Sequence, residues 1–229
     1  WTLYYQETGI KKEETNYIDG VQEGLWTEWY EDGQKRRERN FKDGERDSTW
    51  TTWYENGNKK FLASYSNGKL NGKYIRWYEG GIIKELDGEY LNNKKHKKWI
   101  YWSKNGQKTE EINYDNGIHQ GSHIKWFGEK SDQHKKFHIN YKDGKKDGIW
   151  HHWYSSGVDS LKASYANGEK DGHWIWWRKN GLKDKEGFYK KEKKHGLWTI
   201  WNDSSGSAYH KLHEETYVND AIDGKVTKW

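Results

Sequence analysis

The 11 histidines of this 229-residue chain are the first residues to consider as metal ligands. His119 and His123, and likewise His134 and His138, are four residues apart, so each pair would share one face of an extended strand. The chain has no cysteine, and no third ligand accompanies either pair at the spacing of a zinc site. We therefore predict no metal site and no cofactor, and interpret these histidines as turn or sheet-face residues.

Paired acids are the second group with catalytic potential: Glu13-Glu14, Glu110-Glu111 and Glu214-Glu215. A catalytic pair needs one place where two carboxyl groups have contrasting environments. These pairs recur at equivalent positions, which favours charge pairing with neighbouring strands. Phosphate-binding loops and nucleophile motifs are absent from the sequence. We predict no enzyme and no catalytic residue; only the irregular stretch between Phe127 and Phe137 could hold a unique site.

Composition narrows the class of protein further. Only 31% of the residues are hydrophobic, but Trp and Tyr number 17 each, and each such ring can bury on the order of 150–250 Å². The net charge of +5 is too balanced to indicate specific nucleic-acid binding. No apolar run reaches the roughly 18 residues of a membrane span. We expect a soluble chain; any signal peptide would precede Trp1, and the compartment is not specified.

One phrase recurs along the chain: W-x-x-W-Y-x-x-G-x-K, a charged stretch, then Y-x-x-G-x-x-x-G. Repeats begin near residues 1, 26, 50, 74, 99, 123, 150, 174 and 198, with a partial repeat at 226–229. Asn-Gly and Asp-Gly pairs such as Asp32-Gly33, Asn56-Gly57, Asn67-Gly68, Asn105-Gly106 and Asn180-Gly181 predict type I′ hairpin turns. The predicted fold is all-β: an elongated, single-layer array of antiparallel β-hairpins spanning residues 1–229 as one continuous domain.

The two tryptophan positions of the phrase, here called the first slot and the second slot, each recur along the chain as a column of aromatic residues. The two columns lead to different predictions. The second slot of the phrase is almost always Trp, which predicts a packing role; this structural column is Trp29, Trp53, Trp77, Trp102, Trp126, Trp153, Trp177 and Trp201. The residue in the first slot varies more from repeat to repeat, and so does the residue directly after the second slot. This variation indicates that both positions lie on an accessible surface. The predicted partner-contact residues are Trp26, Tyr30, Trp50, Tyr54, Trp99, Trp150, Tyr154, Trp174 and Trp198.

These phrases resemble a known repeat family. Residues 26–33 (WTEWYEDG), 65–73 (YSNGKLNGK) and 165–174 (YANGEKDGHW) are similar to MORN repeats, and more narrowly to the bacterial variant found in antitoxins of toxin–antitoxin systems. The resemblance implies an antiparallel hairpin array that serves as a scaffold, a partner-binding module or a binder of lipid surfaces, with no catalytic residues. Choline-binding repeats share the Trp-Tyr pair but have a shorter period and a different glycine pattern.

The predicted function is that of a non-catalytic scaffold or protein-binding array, antitoxin-like in the narrower reading. Its partner, most readily another protein, would be bound by many weak, similar contacts along an aromatic face. Two alternatives stay open: a carbohydrate or cell-surface binding module, and a structural protomer that self-associates through its terminal sheet edges into a filament. An anionic lipid surface is a further possible partner.

Overall fold

The computed structural model describes residues 1–128, 134–202 and 209–229. Every regular element within these ranges is a β-strand, and successive strands form antiparallel hairpins, so the all-β hairpin prediction is confirmed. Over the same ranges, no helix is long and apolar enough to cross a membrane. The chain divides into an N-terminal unit, Trp1–Thr109 with Asn113–Ile118, and a C-terminal unit, Glu110–Ile112 with His119–Trp229. The single continuous array remains a prediction.

The N-terminal unit is a ladder of antiparallel strands, in which β2 pairs with β5 and each later strand pairs with the one before it. Its strands are β1 (Thr2–Tyr4), β2 (Lys11–Glu14), β3 (Tyr17–Ile18), β4 (Val21–Gln22), β5 (Gly24–Trp29), β6 (Lys35–Lys42), β7 (Glu45–Trp53), β8 (Lys59–Ser66), β9 (Lys69–Trp77), β10 (Lys84–Leu91) and β11 (Lys94–Trp102). The short β3 and β4 pair only with each other.

The C-terminal unit repeats the same ladder. Its strands are β13 (Ile118–Trp126), whose first residue lies in the N-terminal unit, β14 (Lys135–Lys142), β15 (Lys145–Trp153), β16 (Asp159–Ala166), β17 (Glu169–Lys170), β18 (Gly172–Trp177), β19 (Lys183–Lys190), β20 (Lys193–Trp201), β21 (Lys211–Val218), β22 (Ala221–Ile222) and β23 (Thr227–Lys228). The remaining strand, β12 (Lys108–Asp115), contributes residues to both units.

Two kinds of turn alternate along each ladder. At Asn67-Gly68 both residues have positive φ, 48° and 72°, as a type I′ turn requires. At Asp32-Gly33 only Gly33 has positive φ, 84°, and its N–H donates to the Tyr30 carbonyl. That is a type I turn closed by a left-handed glycine, and it adds a bulge to the hairpin.

The type I′ prediction is therefore correct at Asn67-Gly68 and wrong at the other four quoted pairs. They are Asp32-Gly33, Asn56-Gly57, Asn105-Gly106 and Asn180-Gly181, where the glycine alone has positive φ. The added bulge is visible as a register shift next to the turn, for example between Glu28 and Trp29.

The core of each ladder lies on one face, where several first-slot residues are paired with small residues of a neighbouring strand. Trp50 pairs with Ala63, and Ala63 pairs in turn with Tyr74 of the next strand. Ala63 is fully buried, and Trp99 is only 1% exposed. A ring can lie flat against a strand that carries no large side chain, so a single sheet layer covers its own tryptophans.

Candidate binding surface

In the C-terminal unit, the first-slot tryptophans and the tyrosines of the following strands form one continuous series of ring contacts. The centroid distances are 5.3 Å for Tyr165–Trp174, 5.2 Å for Trp174–Tyr189, 5.2 Å for Tyr189–Trp198 and 6.2 Å for Trp198–Tyr217. These are the separations of favourable tilted and edge-to-face pairs. Burial in this series raises the pKa of the Tyr165 hydroxyl to about 12. First-slot tryptophans and these tyrosines thus alternate along the series.

The N-terminal unit shows the same interleaving. Trp50 contacts Phe41 at 5.5 Å and Tyr65 at 4.9 Å, and Trp99 contacts Tyr90 at 5.0 Å. The first-slot rings are therefore the packing column in this unit too.

Each of these indoles is also fixed by its N–H group. Trp99 Nε1 donates to the Glu89 carbonyl at 3.1 Å, and Trp198 Nε1 donates to the Phe188 carbonyl at 3.1 Å. Both acceptors lie at the end of a register shift between paired strands, where the regular ladder of hydrogen bonds is interrupted. The indole thus occupies an acceptor that the irregular pairing leaves available, as expected for a buried Trp.

These observations correct the exposure predicted for the first slot. Trp26, Trp99, Trp174 and Trp198 are at most 9% exposed, so the prediction that they form an accessible contact face is wrong. Trp50 and Trp150 are half-buried. Contact with a partner through these residues stays a prediction.

The tyrosines that follow the second slot bind the next repeat. The hydroxyls of Tyr30, Tyr54 and Tyr154 donate to the carbonyls of Trp53, Trp77 and Trp177, at 2.8–2.9 Å. Where the eighth repeat has arginine, the Arg178 guanidinium donates instead to the carbonyls of Trp201 and Asn202. The replacement of this tyrosine by Arg178 therefore preserves a hydrogen bond between repeats and is not by itself a sign of a surface position. A partner-contact role for these tyrosines remains a prediction.

The second-slot tryptophans are half-buried throughout, and their packing role stays a prediction. They are Trp29, Trp53, Trp77, Trp102, Trp126, Trp153, Trp177 and Trp201. Lysines from the previous repeat lie over several of these rings: Lys35 Nζ is 6.0 Å from the Trp53 ring, and Lys183 Nζ is 5.3 Å from the Trp201 ring. Both lysines also pair with a glutamate three residues further on, so this face is covered by balanced charges.

The feature that sequence reasoning missed is a cation four residues before the first slot. Its side chain lies over the first-slot ring and over the tyrosine of the next strand. Lys194 Nζ is 4.6 Å from the Trp198 ring and 4.5 Å from the Tyr217 ring. The position holds Arg46, Lys95, Lys146, Lys170 and Lys194. The repeat period alone could have revealed it, because the same offset recurs.

The backbone of each of these cations is held as well. The carbonyls of Lys146, Lys170 and Lys194 accept hydrogen bonds from the turn of the following repeat, at 2.8, 2.9 and 3.0 Å. In the C-terminal unit, three consecutive repeats thus present a lysine whose main chain and ammonium group are both fixed. We call Lys146, Lys170 and Lys194 the lysine row.

Trp176, the only tryptophan outside the two slots, was not predicted as a site. Its ring lies 5.5 Å from Trp174 and 5.8 Å from Trp198, and Lys185 Nζ is 4.9 Å above it. Its departure from the repeat was the signal that could have identified it. It extends the aromatic face two residues beyond the first slot.

Several of the histidines and paired acids have partners among the described residues. His123 Nε2 lies 2.7 Å from Glu110, and Ser122 Oγ lies 2.8 Å from His138 Nε2. His134 bonds a backbone carbonyl, and residues 129–133 of the irregular stretch lie outside the described residues. In residues 1–128, 134–202 and 209–229, no group of three or more His, Asp or Glu side chains could hold a metal ion.

The acid pair at the end of the C-terminal unit forms ordinary polar contacts. Glu214 accepts a bond from Lys211 at 2.6 Å, which lowers the pKa of this carboxyl group. The Tyr217 hydroxyl donates to Glu215, and this bond lowers the pKa of the Glu215 carboxyl and raises that of Tyr217 to about 12. The main partners of both acids thus lie on their own strand, β21, and not on a neighbouring strand as predicted.

Comparison with known proteins agrees with the repeat architecture. A search of curated proteins found no significant match. The family model described as MORN repeat variant matches residues 22–43, 46–67 and 95–116. MORN repeats are generally non-catalytic and are associated with binding to membranes or proteins. The chain therefore carries repeats of the MORN variant type at these three places.

Proposed function

We propose that the chain is a non-catalytic binding array whose lysine row recognises an acidic surface of a partner protein. The observation that carries this proposal is the fixed position of the row: each ammonium group lies over two rings, 4.5–5.5 Å from their centres. Cations held in this way lose little side-chain freedom on binding, which favours affinity.

Charge at the row supports an acidic partner. Lys170 lies 3.6 Å from Glu192, in a pair that is well exposed to solvent and is therefore worth little in water, and the charge of Lys194 acts on the carboxyl group of Glu215. Repeated cations at similar positions can sum weak contacts with one extended acidic segment. The antitoxin-like role implied by the resemblance would be one form of such binding. A glycan is less well supported, because the buried first-slot rings do not offer flat faces for stacking.

The proposal is tested with two matched triple variants. Lys146, Lys170 and Lys194 are changed to Gln in the first. The second changes Lys145, Lys190 and Lys193, which are exposed lysines on the same strands or adjoining ones. Both variants lose the same charge. Their circular dichroism spectra and unfolding midpoints are compared first, so that a loss of fold is not read as a loss of binding.

Native extract is then passed over each immobilised protein, and retained proteins are quantified by mass spectrometry. We expect one acidic protein, retained in stoichiometric amount by the native chain and by the control but lost from the row variant. Equal loss from both variants would show that net charge alone is responsible. Retention by both would place the contact elsewhere. Binding of all three proteins to phosphatidylserine vesicles, without a protein partner, would favour the anionic-membrane alternative.

A further inference from the structure

The turn of the fourth repeat, residues 78–83, is one residue longer than the turns of the second, third, fifth, seventh and eighth repeats. The Tyr30 N–H donates to the Gln34 carbonyl, four residues further on, whereas the Tyr78 N–H donates to the Ile83 carbonyl, five residues further on. Ile82 is the added residue, and its side chain is 90% exposed. Nothing in the packing of the repeat requires an isoleucine here.

The added residue does not make the turn loose. Asn58 Nδ2 donates to the Gly80 carbonyl at 3.1 Å, and Asn56 Nδ2 donates to the Glu79 carbonyl at 3.0 Å. Gly81 has a φ of 74°, and a β-carbon there would lie 2.4 Å from Asn58, so close contact with the preceding turn fixes its conformation. Ile82 is thus held in solvent by a well-bonded turn.

A cavity of about 510 Å³ opens beside Ile82. Tyr54, Tyr78 and Ile83 supply its apolar lining, while Glu79 and Lys104 supply the charged groups. The hydroxyls of both tyrosines donate to backbone carbonyls at 2.8 Å, so their rings are fixed. The cavity therefore exists before any ligand binds.

We infer that Ile82 and this cavity form a docking site for an extended segment of a partner protein. The segment carries a large apolar side chain between a basic residue and an acidic one. The apolar side chain enters the cavity against Tyr54, Tyr78 and Ile83, and the flanking charges meet Glu79 and Lys104. A fixed apolar anchor beside a preformed cavity with charges of both signs is typical of a binding hot spot. The site lies in the N-terminal unit and does not depend on the lysine row.

The test uses a phage-displayed library of random peptides selected on the intact chain. An enriched peptide is then synthesised, and its affinity is measured by fluorescence polarisation. Two variants remove the anchor: Ile82→Ser, and deletion of Ile82, which shortens the turn to the length of the second repeat's turn. The matched control is Ile149→Ser, which changes another exposed isoleucine, 50% exposed, in the C-terminal unit.

We expect enriched peptides to share an apolar residue between a basic and an acidic residue. Their Kd should rise at least about tenfold with either anchor variant and stay unchanged with the control. Glu79→Lys should weaken the original peptide and favour one in which the basic residue is replaced by an acidic residue. Failure to enrich any sequence, or affinities that are the same for both anchor variants and the native chain, would overturn the proposal.

Discussion

The ring of Trp99 fills the space that a β-carbon on Gly88 would occupy, with Trp99 Cδ2 only 2.3 Å from that position. The same arrangement recurs at Gly187, where the Trp198 ring lies 2.2 Å from the corresponding point. In each case a ring is buried by contact with the backbone of the neighbouring strand. Glycine at these positions is thus a packing requirement, since neither residue has positive φ.

Gly88→Ala should lower the free energy of unfolding by about 2–4 kcal/mol, because the methyl group displaces the Trp99 ring and disturbs its bond to Glu89. Chemical denaturation followed by tryptophan fluorescence measures the change. Gly80→Ala is the control: its β-carbon would meet nothing within 4 Å, and it should change stability by less than about 0.5 kcal/mol. Similar losses in both variants would mean that the ring is not held as described.

Arg178→Ala should lower the free energy of unfolding by about 1–3 kcal/mol, since the guanidinium bonds two carbonyls of the next repeat and also Asp184. Arg178→Tyr should restore part of that loss, because tyrosine makes the equivalent bond at Tyr154. Thermal unfolding of the three proteins tests this order. If the Ala and Tyr variants are equally unstable, then the bond between repeats is not what the arginine contributes.

The sequence was sufficient to predict the hairpins and their order along the chain, because turn residues and aromatic positions recur at one period. It was not sufficient to decide which aromatic column is buried. Alternation places Trp26 and Trp29 on opposite faces, but burial depends also on the neighbouring strand, where Gly88 and Gly187 leave room for the rings of Trp99 and Trp198. Uniformity within a column was therefore a poor guide to its burial.

The candidate binding surface was only partly predictable for a similar reason. Aromatic residues were expected to carry it, and rings do form its base, but the lysine row arises from contacts between residues of two repeats. Lys170, for example, lies over both Trp174 and Tyr189. The role of such a lysine cannot be recognised within a single repeat, because its contacts are with the next one. Its constant spacing from the first slot could nevertheless have been read from the sequence.

Ser48→Gly should raise the free energy of unfolding by about 0.5–1 kcal/mol. Ser48 has a φ of 56°, at the position of the repeat where Gly72 and Gly172 have φ values of 108° and 98°. A positive φ is sterically unfavourable for a residue with a β-carbon, so serine destabilises the fold here relative to glycine. Denaturation midpoints measure the gain. Thr49→Gly, at the next residue, serves as the control and should instead destabilise the chain, because φ there is not positive. A loss of stability in the Ser48 variant would contradict the argument.

Stability should also decline as the pH falls below about 6.5, the ordinary pKa of histidine. Burial lowers the pKa of His138, with added repulsion from Lys135 and His151, and burial likewise lowers the pKa of His152. In this range the unfolded chain binds protons that the folded chain excludes. The stability contributed by the two neutral histidines is therefore complete above about pH 6.5, and it is lost as the pH falls through their pKa values in the folded chain. Unfolding midpoints at about pH 7.5 and 5.5 measure the decline.

The double variant His138→Gln, His152→Gln should show a smaller decline than the native chain, because two of the groups responsible are gone. His210→Gln, which changes an exposed histidine, should leave the decline unchanged. This comparison separates the two half-buried histidines from the general effect of acid on carboxylate pairs such as Lys211–Glu214, which are present in all three proteins. An equal decline in all three would assign the pH dependence to those carboxylates and remove the role of His138 and His152.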